Sequence, residues 1–181
     1  MKKLLRSETA KMRRELDPEL HSALSVAACK TLSDSSYWKE ASKVAMYIPI
    51  KGELDLSFLF PLARKQNKLI LLPRCDGKNM FFHRVDDLST LKKGSYGIPE
   101  PTICHPIAED LSNTLVIAPC VAVSKEKARL GWGGGYYDRF FSAHKAKAIV
   151  TAVFDFQVSD LSFADSWDLR LDAVFTPTDT F

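Results

Sequence analysis

Val44-Ala45-Met46-Tyr47-Ile48, halted by Pro49, is an apolar run without a polar interruption. A run this short, bounded by a proline, reads as a buried strand. The pattern recurs along the chain. Lys68-Leu69-Ile70-Leu71-Leu72-Pro73 is a second such strand, and Thr114 to Ala118, closed by Pro119, is another. Ala148 to Phe154 and Ala173-Val174-Phe175-Thr176 extend the series, and Met80 to Val85 is a shorter strand reached through an Asp76-Gly77 turn. Helical patterns lie between them. Residues 2–16 carry Leu4, Leu5, Met12 and Leu16 at roughly helical spacing. Asp17-Pro18 stops that helix and starts the next, as cap and first helical residue. The second helix has Leu20, Leu24, Ala27, Ala28 and Leu32 on one face. Asp55 is expected to cap the helix after the first strand, with Pro61 making it start late or kink. A last helix runs through Tyr136 to His144, and Gly94 to Pro106, with its three prolines, reads as a loop. Strands alternating with helices predict an α/β layer fold with a mostly parallel sheet. In such sheets ligands sit beyond the carboxyl ends of the strands. Glu53, Asp55, Arg74 and a glycine-rich loop all fall just after predicted strands.

The 181 residues suit one domain with a proper core, and 46% hydrophobic and 26% charged content exclude a disordered chain. A net charge of +3 argues against a general nucleic-acid binder. The charge is uneven, however. Lys2, Lys3, Arg6, Lys11, Arg13 and Arg14 face only Glu8 in the first segment, which therefore either meets an anion or is a solvated helix face. Cys29, Cys75, Cys104 and Cys120 show no C-x-x-C spacing and no zinc pattern with the histidines. Cys29 and Cys120 sit in apolar runs and read as buried thiols, which suits a reducing compartment. No apolar run has signal-peptide or transmembrane form, so the expected location is the cytoplasm.

The chemistry concentrates in Arg129-Leu130-Gly131-Trp132-Gly133-Gly134-Gly135-Tyr136-Tyr137-Asp138-Arg139-Phe140. Four of the chain's eight glycines fall here. Glycine permits positive φ and lets a ligand approach bare backbone. Free N–H groups followed by a helix start make an anion cradle. Asp138, in the first turn of that helix, is placed to hold a magnesium ion that in turn holds phosphate. The loop has neither the Lys-Ser/Thr ending of a P-loop nor the G-x-G-x-x-G spacing of a dinucleotide fold.

This stretch closely resembles the R-L-G-x-G-x-G-[YF]-Y-D-R segment of 5-formyltetrahydrofolate cyclo-ligases, also called methenyltetrahydrofolate synthetases. Further segments match in order: Lys2-Lys3-Leu4-Leu5-Arg6 resembles K-x-x-L-R, Tyr47 to Asp55 resembles Y-x-x-x-x-E-x-D, and Leu72-Pro73-Arg74 resembles L-P-R. Gly97-Ile98-Pro99-Glu100-Pro101 resembles G-I-x-E-P, and Phe156-Gln157 and Asp168 to Thr176 resemble the family's tail. Two departures stand out. The family usually has P-G-x-A-F-D where this chain has Pro119-Cys120-Val121-Ala122-Val123-Ser124, and a glycine where this chain has Lys127.

The resemblance implies one domain over residues 1–181. It also implies a three-layer α/β/α, Rossmann-like fold similar to the sugar-phosphate isomerase and coenzyme A-transferase type. The implied reaction is ATP- and Mg²⁺-dependent closure of 5-formyltetrahydrofolate to 5,10-methenyltetrahydrofolate, in a monomer acting on a small molecule without nucleic acid or membrane. Arg6, Arg129 and Tyr136 match catalytic positions. Lys2, Lys3, Leu4, Leu5, Arg6, Arg129, Leu130, Gly131, Trp132, Gly133, Gly134, Gly135, Tyr136 and Tyr137 match nucleotide contacts. Ile50, Glu53 and Asp55 match the folate side, which Trp132 to Tyr136 also border. A pterin presents N–H donors, for which a carboxylate is the right partner. Asp138 and Asp168 match the metal ligands. Each role has a plainer competitor: a helix-terminal charge for Asp138, a surface carboxylate for Asp168, a helix cap for Asp55, a lid for Trp132. One of the two tyrosines is expected to pack in the core, and Arg74 to meet phosphate or the glutamate tail. Two other functions stay open. One is a nucleotide-binding module re-purposed on the same fold, without turnover. The other is RNA binding through the basic first helix, against which stands the lack of a further basic, aromatic-interleaved patch.

Overall fold

The computed structural model describes residues 1–94, 96–165 and 168–181; Ser95, inside the expected Gly94–Pro106 loop, lies outside the described residues. The elements in chain order are helices α1 (Lys2–Glu15), α2 (Pro18–Asp34) and α3 (Ser36–Glu40), strand β1 (Lys43–Ala45) and helix α4 (Leu59–Lys65). Strands β2 (Leu69–Asp76), β3 (Asn79–Arg84), β4 (Lys92–Lys93), β5 (Pro99–Glu100), β6 (Thr114–Ile117), β7 (Ala122–Ser124) and β8 (Arg129–Leu130) follow. The chain ends with α5 (Tyr136–Ala143), β9 (Ala148–Ala152), β10 (Val158–Ser159) and β11 (Ala173–Phe175).

The central sheet has six strands in the order β11-β9-β6-β1-β2-β3. All neighbours are parallel except β2 and β3. The inner parallel strands β1, β6 and β9 are mostly apolar because both faces are covered, as a parallel sheet requires. Successive residues alternate between two cores. Val44, Met46, Ile70, Leu72, Leu115, Ile117 and Phe175 join one with Ala28 and Leu32 of α2, Trp38 of α3 and Leu59 of α4. Ala45, Leu71, Val116 and Val174 join the other with Tyr137 of α5. This gives the expected α/β layering. Small β10-β7-β8 and β4-β5 sheets flank it.

The chain starts in the middle of the sheet at β1, runs outward to β3, then returns to β6 on the other side of β1. The connections leaving β1 and β6 therefore part at a topological switch, where ligands sit in open α/β sheets. Glu53 lies on the first connection, and the glycine-rich loop on the second.

Three local expectations need correction. Leu4 and Met12 are exposed, and α1 instead turns Thr9 and Arg13 inward. Leu20 is also exposed, so the buried face of α2 is Ser25, Ala28, Cys29 and Leu32. Asp55 does not cap α4, because its Oδ1 accepts from Ser57 N and Oγ while α4 begins only at Leu59, with Pro61 in its first turn. Asp17 does cap α2, accepting from the N–H groups of Glu19 and Leu20.

Lys127 explains one departure from the family pattern. It sits in the β7–β8 turn with φ of 64°, the left-handed region that a glycine adopts freely. A side chain there costs about 1–2 kcal/mol, against about 0.5–1 kcal/mol for the greater unfolded-state freedom of glycine. Lys127→Gly is therefore expected to raise the melting temperature by about 2–4 °C in calorimetry. An unchanged or lower value would mean that the bond from Lys127 Nζ to Asp172 O, at 3.0 Å, outweighs the strain.

Candidate active site

The glycine-rich loop leaves the buried strand β8 and enters α5, so both of its ends are held. Gly133 (φ 103°) and Gly135 (φ 65°) adopt backbone that a side chain would strain, and Gly135 is the residue from which α5 starts. Gly131 is required for a different reason: a Cβ there would lie 2.7 Å from Arg129 Nη1. Arg139 ties the loop to the β2–β3 turn, donating to Gly134 O at 2.8 Å and to Lys78 O at 3.0 Å.

Cations converge on this loop from two sides. Arg129, 5% exposed, donates from Nη1 to Pro119 O at 3.0 Å and from Nη2 to both oxygens of Asp138 at 3.2 Å. From the other side, α1 presents Lys2, Arg6, Thr9 and Arg13 at helical spacing on one stripe. Arg6 Nε donates to Gly131 O at 2.9 Å, and Arg13 Nη2 to Cys120 O at 2.6 Å. Lys2 Nζ donates to Asp165 at 2.7 Å and Asp168 at 2.5 Å. The basic segment is thus divided: this stripe turns to the loop while Lys3, Lys11 and Arg14 stay exposed.

Asp138 and Asp168 come together through the backbone, since Asp138 Oδ1 accepts from Leu169 N at 3.1 Å. Partial burial works upward on the Asp168 carboxyl, but the hydrogen bonds from Lys2 and Asp165 N and the charges of Lys2 and Arg129 hold it below its ordinary range. Both acids are hard oxygen donors facing cations. Among the described residues no group of three or more His, Cys, Asp or Glu gathers, so Asp138 and Asp168 are the two carboxylates to be matched to a metal here. That suits Mg²⁺, which typically takes one or two carboxylates and completes its shell with phosphate and water.

Glu53 approaches the loop from the β1 side. A tight turn with positive φ at Lys51 (51°) and Gly52 (70°) carries it inward. It is 4% exposed, and its Oε1 accepts from Trp132 Nε1 at 2.7 Å while Oε2 accepts from Ile50 N at 3.0 Å. Burial pushes its carboxyl above the ordinary range; those two hydrogen bonds and the charges of Arg13 and Lys51 offset this only in part. Trp132 lies beneath Lys51 and Arg13, whose Nζ and Cζ are 4.9 and 5.6 Å from its ring. Ile50 thus contributes a backbone N–H.

No hydrogen bond ties the Asp55 side chain to this cluster; Asp55 lines an open cleft of about 630 Å³ with Ile48, Pro49, Phe60, Pro61, Arg64 and Leu88. The two tyrosines divide as expected. Tyr136 donates to Gly77 O at 2.9 Å and shares a 2.6 Å bond with Tyr96, which with slight burial raises its pKa to about 12. Tyr137 packs edge-on against Phe82, and burial raises its phenol far above the usual value. Leu130 is buried with Ala122, Ala128 and Phe163, Leu5 packs against them, and Leu4 is exposed. Arg74 lies within β2, opposite Phe81, rather than after a strand. Arg13, Tyr96 and Arg139 were not singled out by sequence; the spacing of Lys2, Arg6 and Arg13 is the signal that points to the first.

The fold and the site define an α/β layer enzyme whose cations converge on a glycine-rich loop at the carboxyl edge of its sheet. The chain belongs to the 5-formyltetrahydrofolate cyclo-ligase family, whose model matches residues 1–177. It is 29% identical over 172 residues to the 5-formyltetrahydrofolate cyclo-ligase of Escherichia coli, covering 92% of this chain and 94% of that one. It is also 29% identical over 130 residues to the probable 5-formyltetrahydrofolate cyclo-ligase of Schizosaccharomyces pombe, a match that spans 69% of this chain and 64% of its relative. The solved structure of the 5,10-methenyltetrahydrofolate synthetase of Aquifex aeolicus superimposes with a TM-score of 0.85 at 34% identity, over 99% of this chain and 91% of that one. Among the described residues no helix is long and apolar enough to cross a membrane.

Proposed function

We propose that the chain closes 5-formyltetrahydrofolate to 5,10-methenyltetrahydrofolate with ATP and Mg²⁺, releasing ADP and phosphate, as a cytoplasmic monomer of one domain over residues 1–181. One observation carries the reading. Glu53, the acid matched to the folate, and the loop matched to the nucleotide are in direct contact through the 2.7 Å Trp132–Glu53 bond. Two molecules that must react need adjoining seats.

A formamide carbonyl is a poor electrophile and oxide a poor leaving group, which is why ATP is needed. The formyl oxygen attacks the γ-phosphorus, an O–P bond forms, and the bridging P–O bond breaks to release ADP. N10 then attacks the formyl carbon and loses its proton. The C–O bond breaks, phosphate leaves, and the five-membered ring closes. Positioning and charge neutralisation do most of the work in such transfers. Arg6 and Arg129 are the cations at the loop, and Arg129 is held in place by Pro119 O and Asp138. Tyr136 gives its one proton to Gly77 O, so donating to a phosphate oxygen requires it to exchange that bond when nucleotide binds. Asp138 and Asp168 would hold Mg²⁺, which supplies charge neutralisation to the phosphates when bound.

The test is absorbance in the methenyl-folate band, with protein, 5-formyltetrahydrofolate, ATP and Mg²⁺ each omitted in turn. A rise that requires all four supports the reading. No rise, with ATP still bound, would replace it with a nucleotide-binding module on the same fold.

A further inference from the structure

Arg13 has no part in the phosphoryl chemistry, yet it is a costly residue to bury. It is 4% exposed, and only Nη2 has a partner, Cys120 O. Its Nε and Nη1 are buried without a hydrogen-bond partner in the described structure. Unpaired donors on a buried cation are strongly unfavourable, so the arrangement needs a reason.

The surroundings supply one. The Arg13 guanidinium lies 5.6 Å from the centroid of Trp132, whose Nε1 is bound to Glu53. Arg13 and Glu53 are close enough for each charge to act on the other, but they form no ion pair. Gly52, the residue before Glu53, packs directly on Arg13, where a Cβ would meet Arg13 Cβ at 3.2 Å. The result is a buried acceptor, two idle donors and a flat aromatic ring packed side by side. A polyanion fits poorly there, because the Glu53 carboxylate repels it. The donor and acceptor set complements a planar heterocycle with N–H donors next to a carbonyl oxygen on one edge.

We propose that Arg13 is a further substrate-positioning and specificity-determining residue: its free N–H groups donate to the ring carbonyl oxygen of the bound pterin, while Glu53 accepts from the neighbouring ring N–H and amine. This rests on the reading of the substrate as a reduced folate. Arg13 then faces substrate rather than nucleotide, unlike Arg6 on the same stripe. A carbonyl can accept from Arg13, whereas an amino group at the same ring position offers it only donors.

The experiment compares binding of 5-formyltetrahydrofolate with that of its analogue bearing a ring amino group in place of the ring carbonyl, in full-length wild type, Arg13→Met and Arg13→Lys. ATP binding is measured alongside. Wild type is expected to prefer the carbonyl ligand by about 10–100-fold, the worth of a hydrogen bond to a charged group. Arg13→Met should lower that preference by about tenfold, the remainder being the discrimination by Glu53 of the ring N–H that the analogue lacks; it should also raise KM for the folate and leave the ATP affinity unchanged. Arg13→Lys keeps the charge and a donor for Cys120 O, so it tests the idea even if the methionine variant does not fold; it should lie between the two. Variants that retain the full preference, or that weaken both ligands equally, would overturn the assignment and make Arg13 a brace for α1. If wild type binds neither folate, the substrate reading itself fails and the inference falls with it.

Discussion

Asp138→Asn is expected to lower turnover by at least ~10³-fold while the chain stays folded, in line with losing a charge that organises a phosphoryl-transfer site. The geometry explains both halves. Asp138 joins three elements: it stands in the first turn of α5, pairs with Arg129 of β8 and accepts from Leu169 N. Asparagine keeps the shape and one carbonyl oxygen, so the bond to Leu169 survives. It removes the charge facing Arg129 and one of the two carboxylates available to Mg²⁺. Breaking a buried ion pair typically costs about 3–5 kcal/mol. Here the Asp138 side chain is 25% exposed and asparagine can still accept from Arg129, so roughly 1–2 kcal/mol is expected, within the ~5–15 kcal/mol stability of a domain. Steady-state kinetics at saturating ATP and Mg²⁺, with a thermal melt, read the two separately. A collapsed melt would make Asp138 structural, and a fully active variant would remove its metal role.

The same residue shows what sequence can and cannot convey. The glycine-rich loop was legible because its constraint is local: four glycines at a strand–helix junction have few other uses. The inner strands were legible because both sheet faces are buried there, so nearly every position is apolar. Arg74 was misjudged at the end of such a strand. β1 pairs only with Leu69 to Leu71 of β2, and beyond that point β2 continues against β3 alone. A proline is tolerated where one side of a strand has no ladder, so Pro73 does not end it. Helix α1 misled for another reason. Its apolar residues suggested the buried face, but the surface it meets is made of backbone carbonyls at Gly131 and Cys120, which call for arginines. Hydropathy does not register such a partner, whereas the spacing of Lys2, Arg6, Thr9 and Arg13 does. Tyr136 and Tyr137 are adjacent, so the helix sends them to different sides, and only the position of Phe82 decides which is buried. The Trp132–Glu53 contact joins residues 79 apart in the chain, and no local pattern announces it.

That contact frames the second large effect. Glu53→Gln is expected to reduce kcat/KM for the folate by about 100-fold, the loss of a buried, hydrogen-bonded charge. It should also change two pH profiles. Burial raises the Glu53 pKa above its ordinary 4.5, with Trp132, Ile50 N, Arg13 and Lys51 offsetting this only in part. The proposed role needs the ionised form, which accepts from the pterin N–H groups. Wild-type kcat/KM should therefore fall on the acid side at a pH above 4.5, and the glutamine variant should lack that limb. Stability runs the opposite way. A folded-state pKa above the unfolded value means the folded chain holds the proton more tightly. The stability this contributes is complete below the unfolded value and is lost as pH rises through the folded one. The wild-type melting temperature should thus carry a downward contribution across the window in which activity rises, and Glu53→Gln should flatten it. Rate profiles and melts taken over the same buffers decide the matter. An acid limb that persists in the glutamine variant would assign it to another group and remove Glu53 from substrate recognition. Its disappearance together with the flattened melt would identify the buried carboxylate as a group whose ionisation costs stability and serves binding.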